Sequence, residues 1–355
     1  VIFYILVSKY DQLLNSLTNY VKMKKSLVNI DFSSIEQKGE KMKNAMQRLN
    51  EIVKERGPLL AGLDPNFDKI IDMWKVSNDG IINPKDTETI EDKEFSIMID
   101  FCLDYIRSLK KEVGAIKINS AFFEAKGMED VYWVIAEYAR QQGLFVIGDL
   151  KRADIGREYA EAYLNVTSPF DAITINPYFG TDGVKPFLDL AKESGKGVFV
   201  LVKTSNPSSC EIQDLDLLDG RKVYEAVADM VKKWGEYTKQ NDEEDYNLVG
   251  AVVGATHPKQ AEELRKRMPN TFFLVPGYGA QGATAKDVSV NFDNTEGGAI
   301  VNSSRGIMMA YQNDRWKDKY NSKTWKEAAI AEARRAQQEL KEALKAKRQD
   351  FEKSN

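Results

Sequence analysis

Charged side chains occur at the end of a strongly apolar stretch, in Gly148–Gly156, GDLKRADIG. Asp149 and Lys151 are two residues apart, so in an extended strand their side chains point to the same side. Asp154 follows where the strand is expected to give way to a loop. Lys117, in AIKINSAFFE, comes close to this pair if its strand is the neighbouring one. Carboxylates on either side favour the charged ammonium form of Lys151, which is then a ready proton donor.

These four residues have two interpretations. Charges at the inner end of a barrel must be paired to be tolerated there, so they can form a structural ion-pair network. Charged residues at the carboxyl ends of barrel strands are, however, typical of catalytic sites. We therefore favour a functional array.

A second polar region follows the seventh predicted strand. Pro276–Gly282, PGYGAQG, has the glycine spacing of a dinucleotide-binding loop, but that fingerprint belongs to the first βα turn of a Rossmann unit, and here it comes late. We interpret it as a flexible loop whose backbone N–H groups approach a phosphate closely. Asn302–Gly306, NSSRG, follows the eighth strand and supplies Arg305 to the same anion. Loops after strands 7 and 8 are the usual phosphate site of a barrel, so the substrate is expected to carry a phosphate.

Other strand ends offer polar groups with open roles. Lys203–Pro207, KTSNP, follows the fifth strand; Thr204 and Ser205 can contact the polar edge of a base, or they can form a turn or a cap. Asp64 ends the first strand in GLDPN, where it can bind sugar hydroxyls or open a turn. His257 is the only histidine, which excludes histidine-based triads and multi-histidine metal sites, and it is expected in a loop or at a helix cap.

The elements that position these residues alternate in type from about residue 58 to residue 310. The predicted strands are Pro58–Asp64, Val113–Ile118, Leu144–Asp149, Ala172–Ile175, Gly197–Val202, Leu248–Val253, Phe272–Val275 and Ala299–Val301. The predicted helices include Glu94–Lys111, Asp130–Gln142, Gly183–Ser194, Val223–Lys239 and Pro258–Arg267. Nearly continuous apolar runs indicate strands buried on both faces of a parallel sheet. Eight such units predict an α/β fold, a (β/α)8 TIM barrel, although a doubly wound sheet has the same alternation.

The two ends differ from this middle part. We expect residues 1–45 to be a polar, helical N-terminal extension, residues 46–315 to be the catalytic barrel and residues 316–355 to be a helical C-terminal extension. The last segment is rich in Ala, Glu, Lys and Arg, all strong helix formers. It can be a solvated helix on the outside of the barrel or an oligomer contact.

Composition narrows the class of protein further. A chain of 355 residues that is 43% apolar can bury a sizeable core, and a net charge of -4 argues against a nucleic-acid partner. The apolar run Val1–Val7 is shorter than the ~20 residues that cross a bilayer, so no membrane attachment is expected. Cys102 and Cys210 are far apart in the sequence, which favours the reducing cytoplasm over a disulfide scaffold or a zinc site.

Seven motifs occur in order between about residues 46 and 312. They are GLDPN, KINSAFFE, GDLKRADIG, KTSNPSS, GATHP, PGYGAQG and NSSRG. This set resembles the orotidine 5′-phosphate decarboxylase family, most of all its bacterial subgroup with TSNP and PGxGAQG signatures. The D-x-K-x-x-D element alone is shared with sister barrels, whereas the full ordered set is specific.

The resemblance implies the conversion of orotidine 5′-phosphate (OMP) to UMP and CO2 in de novo pyrimidine biosynthesis, without a metal or an organic cofactor. It implies that Lys151 protonates the C6 carbanion left by CO2, stabilising it as it forms, and that Asp149 lies near the departing carboxylate. Lys117 would orient this array and contact the ribose. Asp154 would be contributed by the partner subunit of a homodimer.

The resemblance also implies the substrate contacts. Asp64 and Asn119 would contact the ribose, Thr204 and Ser205 the pyrimidine edge, and Gln281 and Arg305 the phosphate.

Two other functions stay open at this point. One is a sister barrel enzyme that handles a sugar phosphate through a metal-stabilised enediolate; KTSNP and PGYGAQG argue against it. The other is a non-catalytic assembly protein that keeps the barrel as a scaffold. The intact set of Lys117, Asp149, Lys151 and Asp154 argues against a loss of activity.

Overall fold

The structure is a computed structural model that describes residues 43–77, 90–239, 245–279 and 282–354. Most of the predicted N-terminal extension, residues 1–42, lies outside this part of the chain, as does Gln281. Cys102 is a buried free thiol and Cys210 an exposed one. Among the described residues, no helix combines the length and the apolar character needed to cross a membrane.

Eight parallel strands form a closed barrel, each hydrogen-bonded to the next and the last to the first. They are β1 (Leu59–Leu63), β2 (Ala115–Asn119), β3 (Phe145–Arg152), β4 (Ala172–Ile175), β5 (Gly197–Lys203), β6 (Val249–Val253), β7 (Phe273–Val275) and β8 (Ala299–Ser303). The barrel closes where Leu59 pairs with Val301 and Ala61 pairs with Ser303. The predicted TIM barrel is therefore confirmed and the doubly wound alternative is wrong.

Helices surround the barrel and follow its strands. They are α1 (Ala45–Arg56), α2 (Phe67–Ser77), α3 (Ile90–Leu109), α4 (Ser120–Glu124), α5 (Glu129–Gln141), α6 (Glu158–Leu164), α7 (Gly180–Ser194), α8 (Cys210–Gln213), α9 (Val223–Thr238), α10 (Pro258–Arg267), α11 (Ala285–Ser289), α12 (Arg305–Met308) and α13 (Trp325–Ser354). The five helices predicted from the sequence are present, with ends shifted by a few residues. The sequence did not predict α2, α4, α6, α8, α11 or α12, of which all but α2 are short, with seven residues or fewer.

Helix α1 contacts the amino ends of the strands. Asn44 caps it through a capping box with Gln47, and Met46 and Leu49 are fully buried. The side chain of Asn50 accepts a 3.0 Å hydrogen bond from the N–H of Gly298, just before β8. This end of the barrel is thereby covered, so the open ends of the strands are the carboxyl ends.

Helix α13 confirms the predicted helical C-terminal extension. One of its faces is buried against the rest of the chain, at Ala329, Ala333, Ala336, Leu340 and Leu344. Gln337 accepts a hydrogen bond from the N–H of Leu59 and donates to the carbonyls of Arg56 and Glu112. The helix is therefore part of the packed domain, while an oligomer contact on its outer face stays a prediction.

Candidate active site

A cavity of about 520 Å³ lies at the carboxyl ends of the strands. Its polar lining residues are Asp64, Lys117, Asn119, Asp149, Lys151, Thr174, Thr204, Ser205, Asn206, Gln213, Tyr278, Asn302, Ser304 and Arg305. Leu201, Val252 and Leu274 from β5, β6 and β7 supply an apolar wall. A concave site with an apolar wall and convergent polar groups is the usual form of a small-molecule pocket.

Charged residues of β2 and β3 form the array at one end of this cavity. Lys117 Nζ lies 2.5 Å from Asp149 Oδ2, and Lys151 Nζ lies 2.5 Å from Asp149 Oδ1. Asp64 Oδ1 is 3.6 Å from Lys117 Nζ. Lys117 and Asp149 are buried, whereas the side chain of Lys151 is 47% exposed. The array thus has a buried ion pair behind it and one accessible ammonium facing the cavity.

The charges of the array reinforce one another. Burial alone would raise the pKa of Asp149, but the charges of Lys117 and Lys151 and their hydrogen bonds outweigh it and hold that pKa well below its usual range. Burial would likewise lower the pKa of Lys117, and the charges of Asp149 and Asp64 outweigh it, so that pKa is raised. Asp149 is an anion and Lys117 a cation at neutral pH.

Lys151 reaches the cavity from an irregular part of β3. Gly148 pairs with Ile173 and Arg152 pairs with Ile175, so three residues of β3 lie opposite Thr174 alone. Lys151 adopts a left-handed backbone with φ of 51°, an uncommon conformation for a residue with a side chain. Such bulges redirect side chains next to active sites.

The opposite end of the cavity is formed by the segments after β7 and β8. Gly277 and Tyr278 lie on one side and Asn302, Ser304 and Arg305 on the other. Arg305 is exposed and provides a cation there. Gly62 in β1 allows the side chain of Ser304 to pack close to that strand, because a Cβ at position 62 would lie 1.9 Å from the hydroxyl oxygen of Ser304.

The segment after β5 contributes a third wall. Thr204 Oγ1 donates to Asn206 Oδ1 at 2.6 Å and accepts from Gln213 Nε2 at 2.8 Å, while Gln213 Oε1 accepts from the N–H of Thr204. Lys203, fully buried, pairs with Asp214 at 2.8 Å and fixes the segment that presents Gln213. With the Thr204 hydroxyl bonded within the segment, the hydroxyl of Ser205 is the one left for a ligand among the described groups of this wall.

The structure brings together most of the residues predicted from the sequence. Those that line the cavity are Asp64, Lys117, Asn119, Asp149, Lys151, Thr204, Ser205 and Arg305. Asp154 is exposed, does not line the cavity of its own chain, and accepts a hydrogen bond from the N–H of Ile155. Gln281 falls outside the described residues. His257 occupies the N-cap position of α10, as expected.

Six polar residues that line the cavity were not predicted from the sequence: Thr174, Asn206, Gln213, Tyr278, Asn302 and Ser304. Asn206 and Tyr278 lie within the motifs KTSNP and PGYGAQG, which were a signal for them. Asn302 and Ser304 stand beside Arg305 in NSSRG, so the motif itself was a signal for them. Thr174 interrupts the apolar run AITI, where a polar residue in a buried strand is a signal that needs explanation. The sequence contains no signal for Gln213, because its contact with Thr204 depends on how the intervening chain folds back.

Within the described ranges, no three His, Cys, Asp or Glu side chains are grouped so that they could hold a metal ion. An eight-stranded parallel barrel with paired charges and a polar pocket at the carboxyl ends of its strands defines an enzyme of the TIM-barrel class.

Comparison with known proteins gives the family. Residues 86–317 match the profile of the Orotidine 5′-phosphate decarboxylase / HUMPS family. The chain is 40% identical over 288 residues to the orotidine 5′-phosphate decarboxylase of Caldicellulosiruptor bescii, covering 77% of this chain and 92% of that protein. It is 36% identical over 306 residues to the Rhodopirellula baltica orotidine 5′-phosphate decarboxylase, covering 83% and 98%. The solved structure of Leishmania donovani OMP decarboxylase matches with a TM-score of 0.59 and 28% identity, over 83% of this chain and 99% of that one.

The chain therefore belongs to the orotidine 5′-phosphate decarboxylase / HUMPS family. By this membership it is an enzyme, of the carboxy-lyase class that the names of these relatives describe.

Proposed function

We propose that the protein decarboxylates OMP to UMP and CO2. The observation that supports this most is the array at one end of the cavity, in which Lys117 and Lys151 bind the two oxygens of Asp149. A cation at the opposite end, Arg305, suits a substrate with a phosphate at one end and a reacting carboxylate at the other.

The bond changes assign a role to the accessible ammonium. The bond between C6 of the pyrimidine and the carboxylate carbon breaks, CO2 leaves, and its bonding electron pair stays on C6. The ammonium of Lys151 stabilises this carbanion as it develops and then gives it a proton, so that a C6–H bond forms. Lys151 is left as a neutral amine and regains its proton from solvent.

Asp149 and Lys117 set up this step. Asp149 holds Lys151 Nζ at 2.5 Å, and in the proposed complex it lies beside the departing carboxylate. Lys117, which is buried, neutralises part of the charge of Asp149, and in the proposed complex it contacts the ribose. A fixed charge pattern of this kind needs no reorganisation when the transition state forms.

The remaining predicted residues bind the substrate. The family resemblance assigns Asp64 and Asn119 to the ribose, Thr204 and Ser205 to the base, and Gln281 and Arg305 to the phosphate. Because the Thr204 hydroxyl is bonded to Asn206 and Gln213, we assign the direct side-chain contact to Ser205 and an orienting role to Thr204. Binding energy from the distant phosphate helps to raise the chemical rate as well as the affinity.

We also propose a homodimer in which Asp154 completes the site of the partner subunit. Exposed apolar side chains next to Asp154 support this: Ile155 is 69% exposed, Tyr178 85% and Phe179 50%. A patch of this kind is typical of a protein interface. The assignment to the bacterial TSNP subgroup, the cytoplasmic location, the domain limits at residues 45 and 315 and the place in pyrimidine biosynthesis stay predictions.

Turnover of OMP, followed by the change in pyrimidine absorbance with EDTA present, tests the proposed function. We expect rapid loss of OMP and matching formation of UMP, unaffected by EDTA. No turnover of OMP, together with metal-dependent turnover of a sugar phosphate, would replace the proposal with the sister-enzyme alternative.

A further inference from the structure

Thr174 is almost fully buried in β4, with 1% of its surface exposed, and its hydroxyl makes three hydrogen bonds to the part of β3 that carries the array. Its hydroxyl donates to Asp149 Oδ1 at 2.9 Å. The same oxygen accepts from the N–H groups of Leu150 and Lys151, each at 3.0 Å. A threonine hydroxyl has one donor and two acceptor positions, so all of its capacity is used here.

These bonds replace the regular backbone hydrogen bonds that are interrupted between β3 and β4 at the bulge. Asp149, Leu150 and Lys151 lie opposite Thr174 alone, between the regular pairs Gly148 with Ile173 and Arg152 with Ile175. Two N–H groups of this bulge would lack a partner without the hydroxyl, and a buried N–H without a partner is costly.

The bulge also determines where Lys151 points. Its left-handed backbone, φ of 51°, is costly for a residue with a side chain and persists only where the surroundings hold it. The hydroxyl of Thr174 holds both the backbone N–H of Lys151 and the Asp149 oxygen that binds Lys151 Nζ. One atom thus fixes the proton donor at its backbone and at its side-chain partner.

We propose that Thr174 is a positioning residue for the reaction, which holds the bulge of β3 and thereby aims the ammonium of Lys151 into the cavity. This inference rests on the proposed function for its catalytic consequence. Its structural part, the retention of the bulge by one hydroxyl, stands independently.

The test compares Thr174→Val with Thr174→Ser. Valine keeps the shape of threonine and lacks the hydroxyl, while serine keeps the hydroxyl. Thr238→Val is the matched control, because Thr238 is also fully buried and donates to a backbone carbonyl, of Gly235, in helix α9. For each protein, kcat and KM for OMP and the Kd for UMP are measured.

We expect Thr174→Val to lower kcat by roughly 100-fold, the cost of a misplaced reacting group, with the Kd for UMP nearly unchanged. Thr174→Ser and Thr238→Val are expected to keep kcat close to that of the unaltered protein. A Thr174→Val protein with unchanged kcat, a loss confined to KM and UMP affinity, or an equal loss of kcat in Thr174→Ser would overturn the inference. Should Thr174→Val not fold, Thr174→Ala must show the same loss of kcat.

Amide hydrogen exchange separates this inference from the proposed function. The N–H groups of Leu150 and Lys151 are expected to exchange faster in Thr174→Val and to stay protected in Thr174→Ser. Unchanged exchange in Thr174→Val contradicts the inference whether or not the protein turns over OMP. Absence of OMP turnover in the unaltered protein contradicts the proposed function instead.

Discussion

Tyr278 donates a 2.8 Å hydrogen bond to Glu339, and this bond links the segment after β7 to the C-terminal helix α13. Tyr278 also lines the cavity at the end assigned to the phosphate. Glu339 is itself paired with Arg335 at 2.6 Å, and Arg335 with Glu332 at 2.7 Å. The C-terminal extension therefore supports one wall of the candidate site.

Tyr278→Phe removes this bond and keeps the ring. We expect the Kd for UMP to rise roughly fivefold, because one hydrogen bond of about 1 kcal/mol no longer holds the segment in place, while kcat falls less. Calorimetric titration with UMP measures the effect. Tyr237→Phe is the control, because Tyr237 donates to Asp189 among the outer helices; equal losses in both variants would show that the effect is not local.

Asp149→Asn tests the stability of the array and its dependence on pH. The variant leaves the buried ammonium of Lys117 with Asp64 alone, at 3.6 Å, so we expect the free energy of unfolding to fall by about 3 kcal/mol at pH 7. Urea unfolding measures it.

The sign of the pH dependence follows from the two shifts. The pKa of Asp149 is depressed in the folded protein. Its contribution to the free energy of unfolding is therefore complete above its unfolded pKa of about 4 and is lost as the pH falls through its folded pKa. The pKa of Lys117 is raised in the folded protein. Its contribution to the free energy of unfolding is therefore complete below its unfolded pKa of about 10 and is lost as the pH rises through its folded pKa. The difference between the two proteins should be constant from about pH 5 to 9 and shrink below about pH 4; a difference that already shrinks between pH 7 and 5 would contradict these directions.

Arg265 is expected to matter for stability and not for catalysis. It is buried, and its guanidinium donates to the backbone carbonyls of Met268, Pro269, Thr271, Asn291 and Gly298. Burial lowers its pKa to about 10. Arg265→Met removes these five hydrogen bonds, so we expect a loss of roughly 3 kcal/mol in the free energy of unfolding, with kcat of the folded protein unchanged. A large fall in kcat would point to a role in the site that the geometry does not suggest.

Mixed dimers test the shared site. Lys151→Ala and Asp154→Ala are each expected to be inactive alone. After unfolding and refolding together, a hybrid contains one site with both residues intact, so activity should return. Continued inactivity of hybrids shown to form would contradict the contribution of Asp154 across the interface.

The sequence was most informative where function depends on residues close together in the chain. Asp149, Lys151 and Arg305 follow apolar strands directly, so their position at the carboxyl ends of the barrel could be predicted. Lys117 and Asp149 do meet as neighbouring strands predict. The two-residue spacing of Asp149 and Lys151 correctly predicted that their side chains meet. The strand contains a bulge at this point, however, and its pairing with β4 is not regular.

Features that depend on distant parts of the chain could not be predicted in this way. The bond from Tyr278 to Glu339 joins residues of separate elements, as does the bond from Thr174 to Asp149. Neither motif spacing nor periodicity specifies which polar groups meet when helices and strands pack. The role of α13, which packs against the chain around β1 and beside the cavity, is therefore visible only in the folded protein.

The most direct test of the central claim is the decarboxylation rate of Lys151→Ala, measured beside the unaltered protein and the surface variant Lys232→Ala. If Lys151 delivers the proton, kcat for OMP should fall by about 10²- to 10⁴-fold in Lys151→Ala. This variant should still bind UMP, and Lys232→Ala should keep full activity. Turnover of Lys151→Ala at a rate close to that of the unaltered protein would contradict the account.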